Sequence, residues 1–272
     1  MEQLPSERAA TKPAASCRRC GYDLRAGGND KCPECGVPTS LSSLPAKLVH
    51  ADPRWLSTLY HGLRWQGWRV LYDAAAIIAG MWVPWLNRTD SPFGYLTLMP
   101  SIAMDFRGTW LMTASNPIIA GHKWVAELAR ALRFLTITKC VIFALLMRFY
   151  SNGLPAEVRL VGLLAACEGG RIFVCLEYFR RVGRLGMAPA TLRAVRRRLV
   201  FYPVALVGVA SLLVASQWMP GTVGSPLASL LTRLIVSGFV TSVFAWSHVL
   251  AVTEREISEA RAEARRVWSN AR

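Results

Sequence analysis

Four of the seven cysteines lie in one short stretch, CRRCGYDLRAGGNDKCPECG, where they form two Cys-x-x-Cys pairs. Cys17 and Cys20 make the first pair, Cys32 and Cys35 make the second, and a glycine follows each pair. In a metal knuckle the residue after the second cysteine needs a positive φ, which glycine adopts without strain. Four converging thiolates suit a tetrahedral ion, and so short a segment buries too little apolar surface to fold without one. The motif therefore predicts one structural metal site in a small N-terminal ribbon.

The expected ion is a single structural Zn²⁺, and iron in a rubredoxin-like site is the chemical alternative, because a tetrahedral set of four sulfurs suits both. A redox motif would need only one of the two pairs, in a thioredoxin-like context that this chain lacks. Four sulfurs also leave no coordination position for water. The sequence contains no G-x-S-x-G, P-loop or H-E-x-x-H motif, and its four histidines are scattered, so it favours a protein that is not an enzyme.

The segment CRRCGYDLR followed by KCPECG resembles the zinc ribbon at the head of many uncharacterised membrane proteins of planctomycete bacteria. Those ribbons commonly read C-x-x-C-G-Y-D-L-R and then C-P-E-C-G. The resemblance covers residues 17–36 only. It implies zinc ligation by all four cysteines of the stretch, and it carries no function with it.

The rest of the chain is rich in apolar residues, which make up 53% of the sequence, whereas charged residues make up 18%. Soluble domains usually carry about 25% charged residues. The apolar residues form runs close to the roughly 20 residues that a helix needs to cross a bilayer. They predict an all-α integral membrane protein with about six transmembrane helices, at residues 70–86, 93–115, 132–150, 158–179, 199–219 and 227–252.

The run at 93–115 is the ambiguous one, because it contains Pro100, Asp105 and Arg107. It could cross the membrane, form a re-entrant segment or lie as an interfacial helix, and the alternative to six spans is four spans plus a re-entrant segment. Six spans place every basic segment on one side, as the excess of Lys and Arg in cytoplasmic loops requires. We therefore expect a multi-pass protein of the inner membrane with both termini in the cytoplasm.

The domain organisation follows from these features. Prolines mark a linker before the membrane domain. After that domain, charges of alternating sign without a helix breaker mark a helical tail. The predicted parts are a disordered N-terminus (1–16), the zinc ribbon (17–36), a linker (37–54), the helical membrane domain (55–252) and a cytoplasmic helical tail (253–272).

Five charged residues fall near the middle of the predicted spans, where an ionised side chain is costly unless it is paired. Lys139 and Glu168 lie at similar depth in consecutive spans, so we expect them to meet. A structural ion-pair network is favoured over a functional site such as a transport path. The five are Asp105, Arg107, Lys139, Glu168 and Arg171.

The segment 180–198 has seven arginines and no acidic residue. It is interpreted as a topology determinant whose side chains contact anionic lipid headgroups. Nucleic acid is not an expected partner, because the ribbon carries nearly balanced charges and no aromatic residues interleave with the arginines. The arginines are Arg180, Arg181, Arg184, Arg193, Arg196, Arg197 and Arg198.

Together these features predict a membrane-anchored zinc-ribbon protein that acts as an interaction or scaffold module. The lipid bilayer and a cytoplasmic protein bound by the ribbon are the expected partners, and the oligomeric state is left open. The alternative is a small transporter or channel that handles a solute with the midplane charges.

Overall fold

The computed structural model describes residues 16–17, 19–25, 30–43, 48–82, 99–114, 123–149, 154–186, 189–196, 198 and 226–270. Beyond the ribbon these residues are almost entirely helical. The helices are α1 (Ser40–Ser43), α2 (Pro53–Trp82), α3 (Met99–Met112), α4 (Lys123–Phe149), α5 (Leu154–Gly186) and α6 (Pro226–Asn270), with a 3-10 turn at Leu48–His50. Residues 189–196 are helical as well. α1 and the 3-10 turn lie within the predicted linker, and the predicted tail forms the end of α6.

The prediction of six membrane-spanning helices is wrong for the part of the chain that the structure describes. No helix there is both long enough and apolar enough to cross a bilayer. α3 has 14 residues, which corresponds to about 21 Å of helix, against the roughly 30 Å of hydrocarbon that a span must cover. Some helices also start well before the apolar runs: α4 begins at Lys123 and takes in Glu127 and Arg130 before the run at 132–150.

The last two predicted spans differ from the other four in how much of them the structure describes. The run at 199–219 lies outside the described residues. The run at 227–252 falls on α6, whose side chains are described from Phe244 onward. The mostly helical fold is therefore observed, while the membrane-spanning architecture is not.

The apolar core lies between α2, α5 and α6, with contributions from α4 and the 3-10 turn. Leu56, Leu59 and Leu63 of α2 are at most 2% exposed, and Leu176 of α5 and Val249 of α6 are fully buried. The α2 residues recur at three- and four-residue steps, so they form one face of the helix. That face fixes α2 against the long C-terminal helix.

α2 and α3 approach closely because each presents a glycine at their crossing. A Cβ on Gly62 would lie 2.6 Å from the backbone nitrogen of Met112, and a Cβ on Gly108 would lie 2.8 Å from Nε2 of Gln66. Both distances are shorter than a real Cβ tolerates. The two glycines therefore allow the close packing that brings Gln66 against α3.

The C-terminal end of α3 is held by side chains from three neighbouring helices. Tyr178 of α5 donates a hydrogen bond to the carbonyl of Met112 (2.9 Å). Arg133 of α4 donates to the carbonyl of Thr113 (2.6 Å), and Trp55 of α2 donates to that of Ala114 (3.3 Å). The last carbonyls of a helix lack intrahelical partners, so these donors stabilise the end of a short helix inside the bundle.

Candidate metal centre and buried charge network

The ribbon consists of two knuckles with the same backbone geometry. The N–H of Gly21 donates to the carbonyl of Cys17 (2.9 Å), and the N–H of Gly36 donates to that of Cys32 (2.8 Å). The φ angles of these glycines are 82° and 69°. This is the left-handed region that favours glycine, as the sequence predicts.

The four cysteine sulfurs of the ribbon form one compact cluster. Sγ of Cys17 lies 3.6 Å from Sγ of Cys35, and Sγ of Cys20 lies 3.6 Å from Sγ of Cys32. All four sulfurs lie within 4.8 Å of one another. A tetrahedral ion with metal–sulfur bonds of about 2.3 Å would separate its ligands by about 3.8 Å, and a disulfide would bring two sulfurs to about 2.05 Å. The cluster therefore fits a single four-coordinate ion such as Zn²⁺, and this donor set suits Fe as well.

The local environment gives the thiols different acidities. Burial alone would raise the pKa of Cys32, but the backbone N–H groups of Cys35 and Glu34, together with neighbouring thiols, lower it to about 7. Burial raises the pKa of Cys35 to about 12. Thiolates are the ligating form. A bound cation would therefore keep Cys35 deprotonated, although its thiol retains the proton when no cation is bound.

The ribbon packs against the C-terminal end of α6. Val37, Leu41 and Trp268 are 4–6% exposed and form a small apolar cluster, and Cys35 and Val267 pack against its edge. One cysteine of the candidate metal site thus touches the surface that joins the front of the chain to its last helix.

A separate cluster, made of charged side chains, lies between α2, α3, α4 and α5, with Asp105 at its centre. The carboxylate of Asp105 is 1% exposed and contacts Lys139 Nζ (2.8 Å), Arg171 Nη1 (2.9 Å) and Arg69 Nη1 (3.3 Å). Gln66 Nε2 also donates a hydrogen bond to Asp105 Oδ1 (3.0 Å). One buried carboxylate thus joins cations from three other helices.

Glu168 bridges the same three cations from the other side. Its carboxylate lies 2.6 Å from Arg69 Nη2, 2.8 Å from Arg171 Nη2 and 3.0 Å from Lys139 Nζ. Asp73 lies 3.3 Å from Arg69 Nε, one turn along α2. We call these six residues the charge network: Arg69, Asp73, Asp105, Lys139, Glu168 and Arg171. Its three cations and three carboxylates balance.

The cations of the charge network lower the pKa values of Asp105 and Glu168. Burial would raise the pKa of Asp105, but Arg171, Arg69 and Lys139 together lower it to about 2. Burial likewise opposes ionisation of Glu168, and the same cations lower its pKa well below the ordinary range. Asp105 and Glu168 therefore stay ionised at neutral pH.

Four of the five central charges singled out in the sequence belong to the charge network. Arg107 does not, since its guanidinium lies over the ring of Trp65 at 4.8 Å. Sequence reasoning missed Arg69 and Asp73 as members. The available signal was their i,i+4 spacing on α2, with Gln66 three residues before Arg69.

The arginines of the segment 180–198 lie in several environments. Arg180 and Arg181 pair with Glu177 at 2.6 and 2.8 Å, Arg184 and Arg196 are exposed, and Arg197 lies outside the described residues. Arg193 and Arg198 line a cavity against α6. Their contact with anionic lipid stays a prediction, as does the location at the inner membrane.

Comparison of the chain with protein-family models, with curated proteins and with solved structures gives no match. The functional argument therefore depends on the geometry of the four-cysteine cluster and of the helices that it packs against.

Proposed function

We propose that this chain is a helical scaffold protein headed by a structural zinc ribbon, and that the ribbon is an interaction module for a protein partner. The four-cysteine cluster is the observation that carries this proposal. Four sulfurs close the coordination sphere of a tetrahedral ion, so the metal has a folding role and no substrate position. The transporter alternative depends on membrane-spanning helices, and no helix among the described residues is both long enough and apolar enough to be one.

The two faces of the ribbon support a role in binding. One side is held by the residues that follow the ribbon: Val37 and Leu41 are buried against α6 and Cys35 packs on them, so the position of the ribbon relative to the helices is fixed. Tyr22 on the ribbon is 39% exposed, and Arg25 and Lys31 are exposed too. An exposed aromatic ring among charges of both signs is typical of a protein-binding surface, because tyrosine and arginine are enriched where proteins meet.

The charge network supports the scaffold role of the helices. Its members come from four helices, and each carboxylate contacts at least one arginine. Losing any one member leaves a buried charge uncompensated, which specifies how the four helices are arranged. A rigid helical body holds the ribbon at a constant orientation for its partner.

The test is capture of partners by purified full-length protein and its variants, read by quantitative mass spectrometry. Tyr22→Ala combined with Arg25→Ala alters the exposed face and leaves the cysteines intact. The control is Arg255→Ala, an exposed site on α6 whose side chain is 83% accessible. We expect a defined protein to be retained by the wild type and the control, and lost by the double variant and by Cys32→Ser. An identical set of captured proteins for all four forms would refute the interaction role.

A further inference from the structure

A cavity of about 230 Å³ lies between α6 and a segment made of the helical residues 189–196 together with Arg198. Its basic lining comes from both sides, with Arg193 and Arg198 on the segment and His248 on α6. Small apolar side chains complete the wall: Ala190, Ala194 and Val252. Neither the cysteine cluster nor the charge network contributes to it.

The wall formed by the segment is fixed to α6 by polar contacts. The carboxylate of Glu256 accepts hydrogen bonds from the backbone N–H groups of Ala190 (2.8 Å) and Thr191 (2.9 Å). The hydroxyl of Thr191 also contacts that of Thr253 (3.3 Å). Glu256 thus caps the start of the segment, and its oxygens are engaged there. The cavity is consequently built from two elements held at a defined distance.

Among the described residues, no acid pairs with the arginines that line the cavity. Across the described ranges, no carboxylate lies within ion-pair distance of Arg193 or Arg198, and Nε of Arg193 donates only to the carbonyl of Pro189 (3.3 Å). The chain that follows, residues 199–225, contains no Asp or Glu. Elsewhere in the molecule, arginines such as Arg69 and Arg180 are paired with carboxylates. The guanidinium donors of the cavity are therefore available to an anion.

We propose that this cavity binds a compact anion that carries a phosphate group. Two guanidinium groups can each form paired hydrogen bonds to phosphate oxygens, and an imidazole N–H adds a further donor. The alanines and Val252 offer an apolar wall for the organic part of a phosphomonoester. Sites for small molecules usually measure roughly 300–1,000 Å³, so this cavity suits a ligand smaller than a nucleotide. The phosphate could come from a soluble monoester or from a lipid headgroup.

Isothermal titration of the full chain with glycerol 3-phosphate and with inorganic phosphate tests the proposal. We expect the wild type to bind glycerol 3-phosphate, and Arg193→Gln combined with Arg198→Gln to weaken binding at least tenfold. His248→Ala, at an exposed position, should weaken it about threefold to tenfold. The matched control is Arg196→Gln, which removes an exposed arginine of the same segment outside the cavity and should change the affinity less than twofold.

A second arm separates the two sources of phosphate. The same proteins are mixed with vesicles of phosphatidylcholine, with and without phosphatidic acid, and bound protein is sedimented. Binding only to phosphatidic acid vesicles, again lost in the double variant and kept in Arg196→Gln, assigns the site to a lipid headgroup. Two results overturn the proposal: no binding of the wild type to any of the probes, or an equal loss in Arg196→Gln, which would indicate attraction by net charge alone.

Discussion

At the scale of single residues, Asp105 shows why charge can be buried in this fold. Its carboxylate is 1% exposed, and removing such a group from water is opposed by desolvation. Arg171, Lys139 and Arg69 all lie within 3.3 Å of it and offset that cost. The pairing is mutual, so the same carboxylate also compensates the burial of Arg171, which is fully buried.

The lowered pKa of Asp105 predicts an acid-sensitive stability. Its folded pKa is about 2, below the unfolded value of 3.8, so its contribution is present above pH 4 and is lost as the pH falls toward 2. The difference corresponds to about 2 kcal/mol in the free energy of unfolding. Urea unfolding of the wild type between pH 7 and pH 2 measures it. In Asp105→Asn, which is less stable throughout, this part of the pH dependence should disappear; an unchanged pH dependence in the variant would contradict the assignment.

The contact between Lys139 and Glu168 can be tested by a double-mutant cycle. Lys139→Met or Glu168→Gln alone leaves an excess charge in the buried network, which should cost about 3–5 kcal/mol. The double variant retains Arg69 and Arg171 against Asp73 and Asp105, so the charges balance again and most of the loss should be recovered. Thermal unfolding measures all four proteins. Strictly additive losses would show that the two residues do not interact.

The cysteine cluster makes a further prediction at this scale. Cys32→Ser removes one of four sulfurs and should reduce the metal content from about one ion per chain to none, because three thiols no longer complete the tetrahedron. Cys140→Ser is the control, since Cys140 is a cysteine outside the ribbon. Elemental analysis identifies the metal: zinc supports the expected ion, whereas iron alone supports the rubredoxin-like alternative. Equal metal content in the two variants would place the ion elsewhere.

Much of this residue-level chemistry could be predicted from the sequence. Two cysteine pairs followed by glycines specify a knuckle locally, and the structure brings the four sulfurs together. Charges in apolar helices need partners, which is why Lys139 and Glu168 could be paired from their positions. The role of Arg69 could not be predicted, because its partners Asp105 and Glu168 lie on other helices, and only the packing brings them within reach.

At the scale of secondary-structure elements, the packing of α2 on α3 depends on glycine. Gly62→Ala would place its Cβ 2.6 Å from backbone nitrogen of Met112, so the helices must separate; overpacking of this kind typically costs about 1–3 kcal/mol. Gly67→Ala is the control, because its Cβ would meet nothing within 4 Å, and alanine favours the helix by about 1 kcal/mol. Chemical denaturation should therefore show opposite signs for the two substitutions. Equal effects would mean that helix propensity alone governs both sites.

The sequence correctly predicted that the chain is helical, but it did not predict where the helices begin and end. Hydropathy detects apolar runs, whereas α4 begins at Lys123, before the run at 132–150, and α5 continues to Gly186, beyond the run at 158–179. α3 ends at Met112, where donors from three helices satisfy its carbonyls. The end of α3 depends on these tertiary contacts, so no local pattern in the chain could have revealed it.

At the scale of the whole molecule, the ribbon links the front of the chain to its end. Val37 and Leu41 pack on Trp268 of α6, and Arg19 of the ribbon lies 3.9 Å from Asp52, just before α2. α6 itself packs along α2 and the 3-10 turn. The ribbon therefore stands where both ends of the described helical body meet, and a bound metal would contribute to its folding.

Metal removal should release this contact while the helices stay folded. Cys35 touches the apolar cluster around Trp268, so loss of the metal unfolds the second knuckle and exposes the indole, which is 6% exposed in the structure. Addition of a strong chelator should shift tryptophan emission to longer wavelength with little change in helical circular dichroism. The chain has ten tryptophans, so the same titration of Trp268→Phe is subtracted from that of the wild type to show how much of the shift comes from Trp268.

Val37→Ser should produce the same shift without chelator while the metal stays bound, because it weakens the docking surface and leaves the four cysteines in place. If chelation leaves the Trp268 signal unchanged, or if Val37→Ser loses the metal as Cys32→Ser does, the ribbon and α6 are not coupled as the structure indicates.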